Sequence, residues 1–311
     1  MPSNLEKIVQ NMKALKIPLS KAKKILTGFK GAKKLREQYA IPATQSSTQI
    51  ASPQPPTSPP PSPNGAVTLA LRDDMSDWNA GKGSNVRATK DGVVLTFPKG
   101  KWASGGGTNL KFKPDGYKPS ESVELRYDIF IPKDFDFVKG GKIGVGVNVG
   151  GGTGGKDWDV DDGSFRLMWR RGGQLVGYCY LPQNMGKYVP EKLTCPLLNA
   201  QPDEFIEAIG KKAPAAGLDV FRYTKQKLWL KKGQWNSIRM RAVMNDVGKK
   251  NGVLEIELNG ECLRTPIVWR GKRTDRFEQL QLANWFGGGD RSYAPTKDET
   301  VTIRKLRVTF E

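Results

Sequence analysis

The chain has 311 residues, with 50 Lys and Arg against 31 Asp and Glu, a formal net charge of +19, and no histidine. Such an excess makes a polyanion the natural class of partner, and nucleic acid, an anionic membrane or an acidic polysaccharide would all qualify. Without histidine, Ser-His-Asp, Cys-His and histidine–metal chemistry are excluded, so acid–base work falls to Tyr, Lys, Asp, Glu or Cys.

From the N-terminus, Leu5, Ile8, Val9, Met12, Leu15, Ile25, Leu26, Phe29 and Leu35 recur at roughly helical spacing between lysines. Residues 1–41 are therefore expected to form a small module of basic amphipathic helices. The opening residues lack the unbroken apolar core of a signal peptide, and no later run is long enough to cross a bilayer. No membrane partner is expected. Residues 42–65 (IPATQSSTQIASPQPPTSPPPSPNG from Ile41 onward) carry no charge and little apolar content, so they should be an extended, polyproline-like linker. The cysteines Cys179, Cys195 and Cys262 are too few and scattered for a metal site or disulfide scaffold, and thiols are expected.

Over 66–311 the pattern changes to short alternating runs: VVLTF, SVELRYDIFI, KIGVGVNVG, SFRLMWRRGGQLVGYCYL, NSIRMRAVM, VLEIELNG, EQLQLANW and TVTIRKLRVTF. Evenly spaced strands with glycine-bearing turns predict an all-β domain, a β-sandwich or jelly roll. One helix, QPDEFIEAIGKKA, is expected in a long insertion after residue 200.

The most informative stretch runs from Ser164 to Leu181. Phe165, Leu167 and Trp169 alternate with Ser164, Arg166, Met168 and Arg170, and Cys179 and Leu181 alternate with Tyr178 and Tyr180. A three-residue turn at 171–173, with a left-handed glycine, would pair residue 170 with 174, Arg166 with Tyr178 and Ser164 with Tyr180. A two-residue turn would shift the tyrosines to the wrong parity. In the run from Lys142 to Val149, Ile143, Val145, Val147 and Val149 form an apolar face, leaving Lys142, Gly144, Gly146 and Asn148 on the other. Glycines there would leave room for a polymer chain, and Lys142 and Asn148 could bind its carboxylates and hydroxyls.

Such a face suits β-elimination on a 4-linked uronate. The carboxylate charge must be offset by Arg, Lys or amide donors, a base must take the C5 proton, and an acid must protonate the leaving oxygen at C4. Tyrosine is the natural base, with its pKa drawn down by Arg166 and Lys142. The plain alternative is that Tyr–Arg pairs across a ladder merely stabilise the sheet.

Other signals point less clearly. Asp157, Asp159, Asp161 and Asp162 echo a calcium loop, but the glycine, Gly163, comes one place late and Met168 stands where a bidentate glutamate belongs. A solvated loop is the favoured reading, with calcium at Asp157, Asp159 and Asp161 the lesser one. GGGTGG at 150–155 lacks the Lys-Ser/Thr that a phosphate-binding loop needs. Near GGGD at 287–290, Arg291 and Tyr293 form either a second wall of the binding face or a plain turn.

The runs KGGKIGVGVNVGGGTGG, SFRLMWRRGG, GYCYLP and ANWFGGGDRSYAPTKDETVTIRKLRV resemble polysaccharide lyase family 14, especially its cell-wall-degrading chlorella-virus members, over most of residues 66–311. The resemblance implies a jelly-roll lyase acting on glucuronate-containing polymers or alginate, with no cofactor required. It assigns Lys142 and Arg166 to carboxylate neutralisation, Tyr178 and Tyr180 to proton transfer and Ser164 to orientation. Asn148, Gly144, Gly146, Arg170, Arg291 and Tyr293 are expected to bind substrate. It further implies an acidic-polysaccharide partner, a monomer, and a virion-associated or lysis-released protein acting on the extracellular wall. Nucleic acid is disfavoured, although charge alone leaves it open for residues 1–41. A non-catalytic, lectin-like module for acidic polysaccharides is the main competitor. A glycoside hydrolase would need two facing carboxylates, with Asp157 and Glu124 the candidates named for it.

Overall fold

The computed structural model describes residues 65–152, 162–181, 218–249 and 251–311, apart from Lys82 and Tyr223. The helical module of 1–41, nearly all of the linker, the helix expected after residue 200, Cys195, and Asp157, Asp159 and Asp161 lie outside these residues.

Among the described residues, fifteen strands form two antiparallel sheets. In chain order they are β1 (Val67–Ala70), β2 (Val86–Thr89), β3 (Gly92–Phe97), β4 (Thr108–Phe112), β5 (Ser122–Ile131), β6 (Gly140–Val149), β7 (Gly163–Arg170), β8 (Gln174–Tyr180), β9 (Leu218–Val220), β10 (Leu228–Trp229), β11 (Gln234–Val243), β12 (Gly252–Leu258), β13 (Glu261–Ile267), β14 (Phe277–Phe286) and β15 (Glu299–Phe310). One sheet runs β13-β12-β11-β5-β15-β3-β2, with β1 beside the far half of β15. The other runs β10-β8-β7-β6-β14-β4, with β9 beside β8. The eight runs identified in the sequence all fall on strands of this sandwich. Short β1, β2, β4, β9 and β10, and β13 with Pro266 on a sheet edge, escaped that reading, because edge strands need neither length nor clean alternation.

The core lies between the sheets. Phe97, Phe135, Trp169 and Phe286 pack there as a cluster of rings with centroids 5.0 to 5.9 Å apart. Burial of such rings contributes roughly 1.5–3 kcal/mol each. The Trp169 indole N–H donates to the Phe137 carbonyl at 2.8 Å, which fixes the end of β7 against the core. Gly141 is required opposite it, since an added Cβ would lie 2.2 Å from the Trp169 ring.

The β7–β8 hairpin has the expected register. Arg170 pairs with Gln174, Arg166 with Tyr178 and Ser164 with Tyr180, around a turn of Arg171–Gly173 in which Gly172 and Gly173 have φ of 75° and 89°. Gly173 is doubly constrained, because a Cβ there would also lie 2.6 Å from the Phe137 ring.

Strand β6 corrects the sequence reading. Against β7 it pairs Ile143 with Leu167 but Val147 with Phe165, so two extra residues of β6 are accommodated between them. Gly144 sits in this bulge at φ 82°, and its amide and carbonyl are bound by the Asn284 side chain at 2.9 and 3.1 Å. A Cβ on Gly144 would meet the buried Tyr127 hydroxyl at 2.1 Å. Gly144 therefore faces the core rather than the polar face, because the bulge breaks the simple alternation.

Candidate active site

The outer face of the β10-β8-β7-β6-β14-β4 sheet gathers the expected side chains. Lys142 on β6 stands opposite Met168 on β7 and Trp285 on β14. Its Nζ lies 3.6 Å from the centroid of the Tyr178 ring and 5.6 Å from that of Trp285. Arg166 donates from Nη2 to Ser164 Oγ at 3.0 Å, and its guanidinium lies 5.0 Å from the Tyr180 ring centroid. The two phenol rings meet edge to face with centroids 5.6 Å apart. Arg170 reaches the same group, 5.7 Å from the Tyr178 centroid. Lys142, Ser164, Arg166 and Tyr180 are buried, and Tyr178 is half-buried. A lysine, two arginines, a serine and two phenols thus form one contiguous group, more enclosed than the room for a polymer chain expected from the glycines of β6.

Gly146 shares this face, but not as open floor. A Cβ there would lie 2.4 Å from the Phe165 carbonyl and 2.9 Å from Arg166 Cγ, so the space it leaves is filled by the stem of Arg166. Asn148 is fully buried at the other end of β6, opposite Ser164, and neither its amide oxygen nor its nitrogen has a hydrogen-bond partner among the described residues. An unsatisfied buried amide costs roughly 1–3 kcal/mol, so Asn148 is well placed to receive a hydroxyl or carboxylate.

The electrostatics of the cluster bears on two of the expected roles. Burial, with Arg166 and Arg170 nearby, holds the Lys142 ammonium well below its ordinary pKa, which favours a neutral amine able to accept a proton. A permanent cation for carboxylate neutralisation, the role expected from sequence, suits Arg166 and Arg170 better. Tyr178 is pushed up by burial and by the neighbouring Tyr180, the opposite of the depression expected for a phenol acting as base. A raised pKa keeps Tyr178 protonated, as a proton donor requires.

Carboxylates are scarce on this face among the described residues. Asp219 on β9 stands opposite Tyr178 and pairs with Arg170 and, at 2.8 Å, with Arg222. Glu124, one candidate for hydrolysis, lies on the other sheet, where it pairs with Arg126 and Arg239. Asp162 accepts from the Gly151 amide at 3.0 Å.

Where the hairpin turns, a hollow of about 280 Å³ is lined by Lys139, Arg170, Arg171, Gln174, Arg222 and Tyr293. Tyr293 thus lies on a wall beside the cluster, whereas Arg291, in the short turn Arg291–Tyr293, is exposed and does not line the hollow. Met168, Trp285, Gln174 and Asp219 also belong to this surface and were missed as site residues. The local signals available were the even parity of Met168 on β7 and, for Gln174, the turn that pairs it with Arg170.

A two-sheet antiparallel sandwich bearing buried cations against phenols defines a β-sandwich protein suited to acidic ligands. The chain belongs to the polysaccharide lyase 14 family, whose model matches residues 86–306. A curated relative, "Exolysin" of Paramecium bursaria Chlorella virus 1, is 24% identical over 191 residues, which is 54% of this chain and 26% of the relative. The chain therefore spans about a quarter of that relative's length. The crystal structure of alginate lyase vAL-1 from Chlorella virus superposes with a TM-score of 0.60 at 22% identity, covering 78% of this chain and 99% of that one. A marine PL-14 alginate lyase from Aplysia kurodai gives a TM-score of 0.57 at 18% identity, over 79% and 98% of the two chains. These two superpositions establish the shared fold.

Proposed function

We propose that the domain is a polysaccharide lyase that cleaves a uronate-containing polymer, of the alginate or glucuronan kind, by β-elimination. The observation that carries this reading is the placement of the Lys142 amine 3.6 Å over the Tyr178 ring, within a group that also holds Arg166, Arg170, Ser164 and Tyr180. Family membership and the alginate lyases that share the fold support it.

In this reading Arg166, held by Ser164, and Arg170 offset the substrate carboxylate, so that charge developing at C5 is tolerated. The neutral Lys142 amine takes the C5 proton. The bond from C4 to the glycosidic oxygen breaks as the C4–C5 double bond forms. Tyr180 or Tyr178 delivers a proton to the departing oxygen. Asn148 binds a hydroxyl or carboxylate of the chain. No step draws on a metal or cofactor. The substrate is an acidic wall polysaccharide met outside the cell, and the chlorella-virus relatives favour delivery with a virion or at lysis.

The test is to incubate the protein with polyglucuronate, polymannuronate and algal wall extract and follow the ultraviolet absorbance of unsaturated uronate ends. A rise supports elimination. New reducing ends without that absorbance would point to hydrolysis, and binding without cleavage to a lectin-like module.

A further inference from the structure

Beyond the central cluster, the sheet face continues to its edge through a row of directly paired residues. Gly140 stands opposite Arg170, Arg170 opposite Gln174, and Gln174 opposite Trp229 on edge strand β10. Side chains directly opposite on neighbouring strands share a face, so Trp229 belongs to the same outer face as Arg170 and Tyr178. It is 48% exposed, and Leu228 and Leu230 on either side of it are buried. The same alternation carries Lys227 and Lys231 to the exposed side. At the turn, a Cβ on Gly172 would lie 3.5 Å from the indole edge, so the ring borders the Arg171–Gly173 loop.

Isolated exposed tryptophans are ordinary. Trp229 differs because it lies in register with the candidate active site and is flanked by cations. The hollow beside the cluster sets Lys139, Arg170, Arg171 and Arg222 around Gln174, the residue that pairs with Trp229, and Asp219 binds Arg170 and Arg222. Trp229 is two strands from Arg170, about 10 Å.

We propose that Trp229 and this hollow form an outer subsite for a uronate residue remote from the bond being cut: the indole supports a sugar ring, and Arg171 and Arg222 hold its carboxylate. The proposal rests on the uronate-polymer reading above and deepens it, because it makes the enzyme prefer long acidic chains to short ones. An aromatic plane with cations beside it suits a sugar with an apolar ring face and an acidic edge.

The test compares Trp229→Ala and Trp229→Phe with the unaltered protein on polyuronate and on a uronate trimer, and measures retardation in gels cast with polyuronate or a neutral glucan. Trp229→Ala should lower the ratio of kcat/KM on polymer to that on trimer about tenfold, mainly through KM, and Trp229→Phe should restore most of it. Retardation by polyuronate, and not by the glucan, should weaken in parallel. An unchanged ratio with unchanged retardation, or an equal loss on both substrates, would overturn the subsite. Retardation does not require turnover, so a protein that binds polyuronate through Trp229 yet forms no unsaturated ends would sink the lyase reading and leave the subsite standing.

Discussion

Replacing Lys142 with Met isolates the most unusual energetic feature of the site. The Met side chain has nearly the same length and would lie among Met168, Trp285 and the Tyr178 ring. It forfeits the contacts of the amine with the two rings, at 3.6 and 5.6 Å, which for a neutral amine are worth less than the roughly 0.5–1 kcal/mol of an exposed cation–π pair. It also removes an amine that must give up its proton to be buried beside two guanidinium groups, a cost of several kcal/mol. The second effect is larger, so Lys142→Met should stabilise the fold by about 2 kcal/mol, a rise of roughly 4–8 °C in Tm for a domain of this size. The pH dependence follows from linkage. Because the folded-state pKa of Lys142 lies below its unfolded value near 10.5, the unfolded chain binds more protons between the two, and wild-type stability falls as pH is lowered through that window. Differential scanning calorimetry of both proteins should therefore show a gap in Tm that is small near pH 10.5 and widens toward neutrality. A variant that is less stable at neutral pH, or a gap that does not widen, would refute the neutral-amine assignment. Lyase activity should fall at least about 100-fold in the stabilised protein, the trade-off expected of a strained functional group.

Other expectations follow from the same geometry. Gly144→Ala combines a φ of 82° with a Cβ 2.1 Å from the Tyr127 hydroxyl, and should cost about 3 kcal/mol in chemical denaturation. Adding Tyr127→Phe should recover about 1 kcal/mol of that by removing the obstructing oxygen, and no recovery would mean that Gly144 does not abut Tyr127. Arg166→Lys keeps the charge but loses the planar fork that reaches Ser164 and lies over Tyr180. It should lower kcat/KM about 10- to 100-fold in steady-state assays with little change in Tm, and near-normal rates would show that charge alone suffices.

The hairpin was legible because two signals agreed. The Arg171-Gly172-Gly173 turn set a pairing whose parity matched the apolar alternation of Phe165, Leu167 and Trp169 on one strand and Cys179 on the other. Strand β6 was less legible. Its sequence alternates without a break, but the backbone accommodates two extra residues opposite β7, and a glycine at the bulge leaves no side chain to reveal which way it faces. Roles were harder still, because the depressed pKa of Lys142 depends on burial and on arginines from another strand. Asp219 and Trp229 reach the site from β9 and β10, which join β8 only after a long intervening stretch, so no local pattern linked them to Tyr178 or Gln174.

The central claim is tested most directly by Tyr178→Phe and Tyr180→Phe, each against the unaltered protein on polyuronate, with unsaturated ends read by absorbance and folding by calorimetry. Loss of the hydroxyl that donates to the departing oxygen should reduce turnover by at least about 100-fold in one of the two while Tm changes by no more than a few degrees. Undiminished formation of unsaturated ends by both normally folded variants would contradict the role given to this group of side chains.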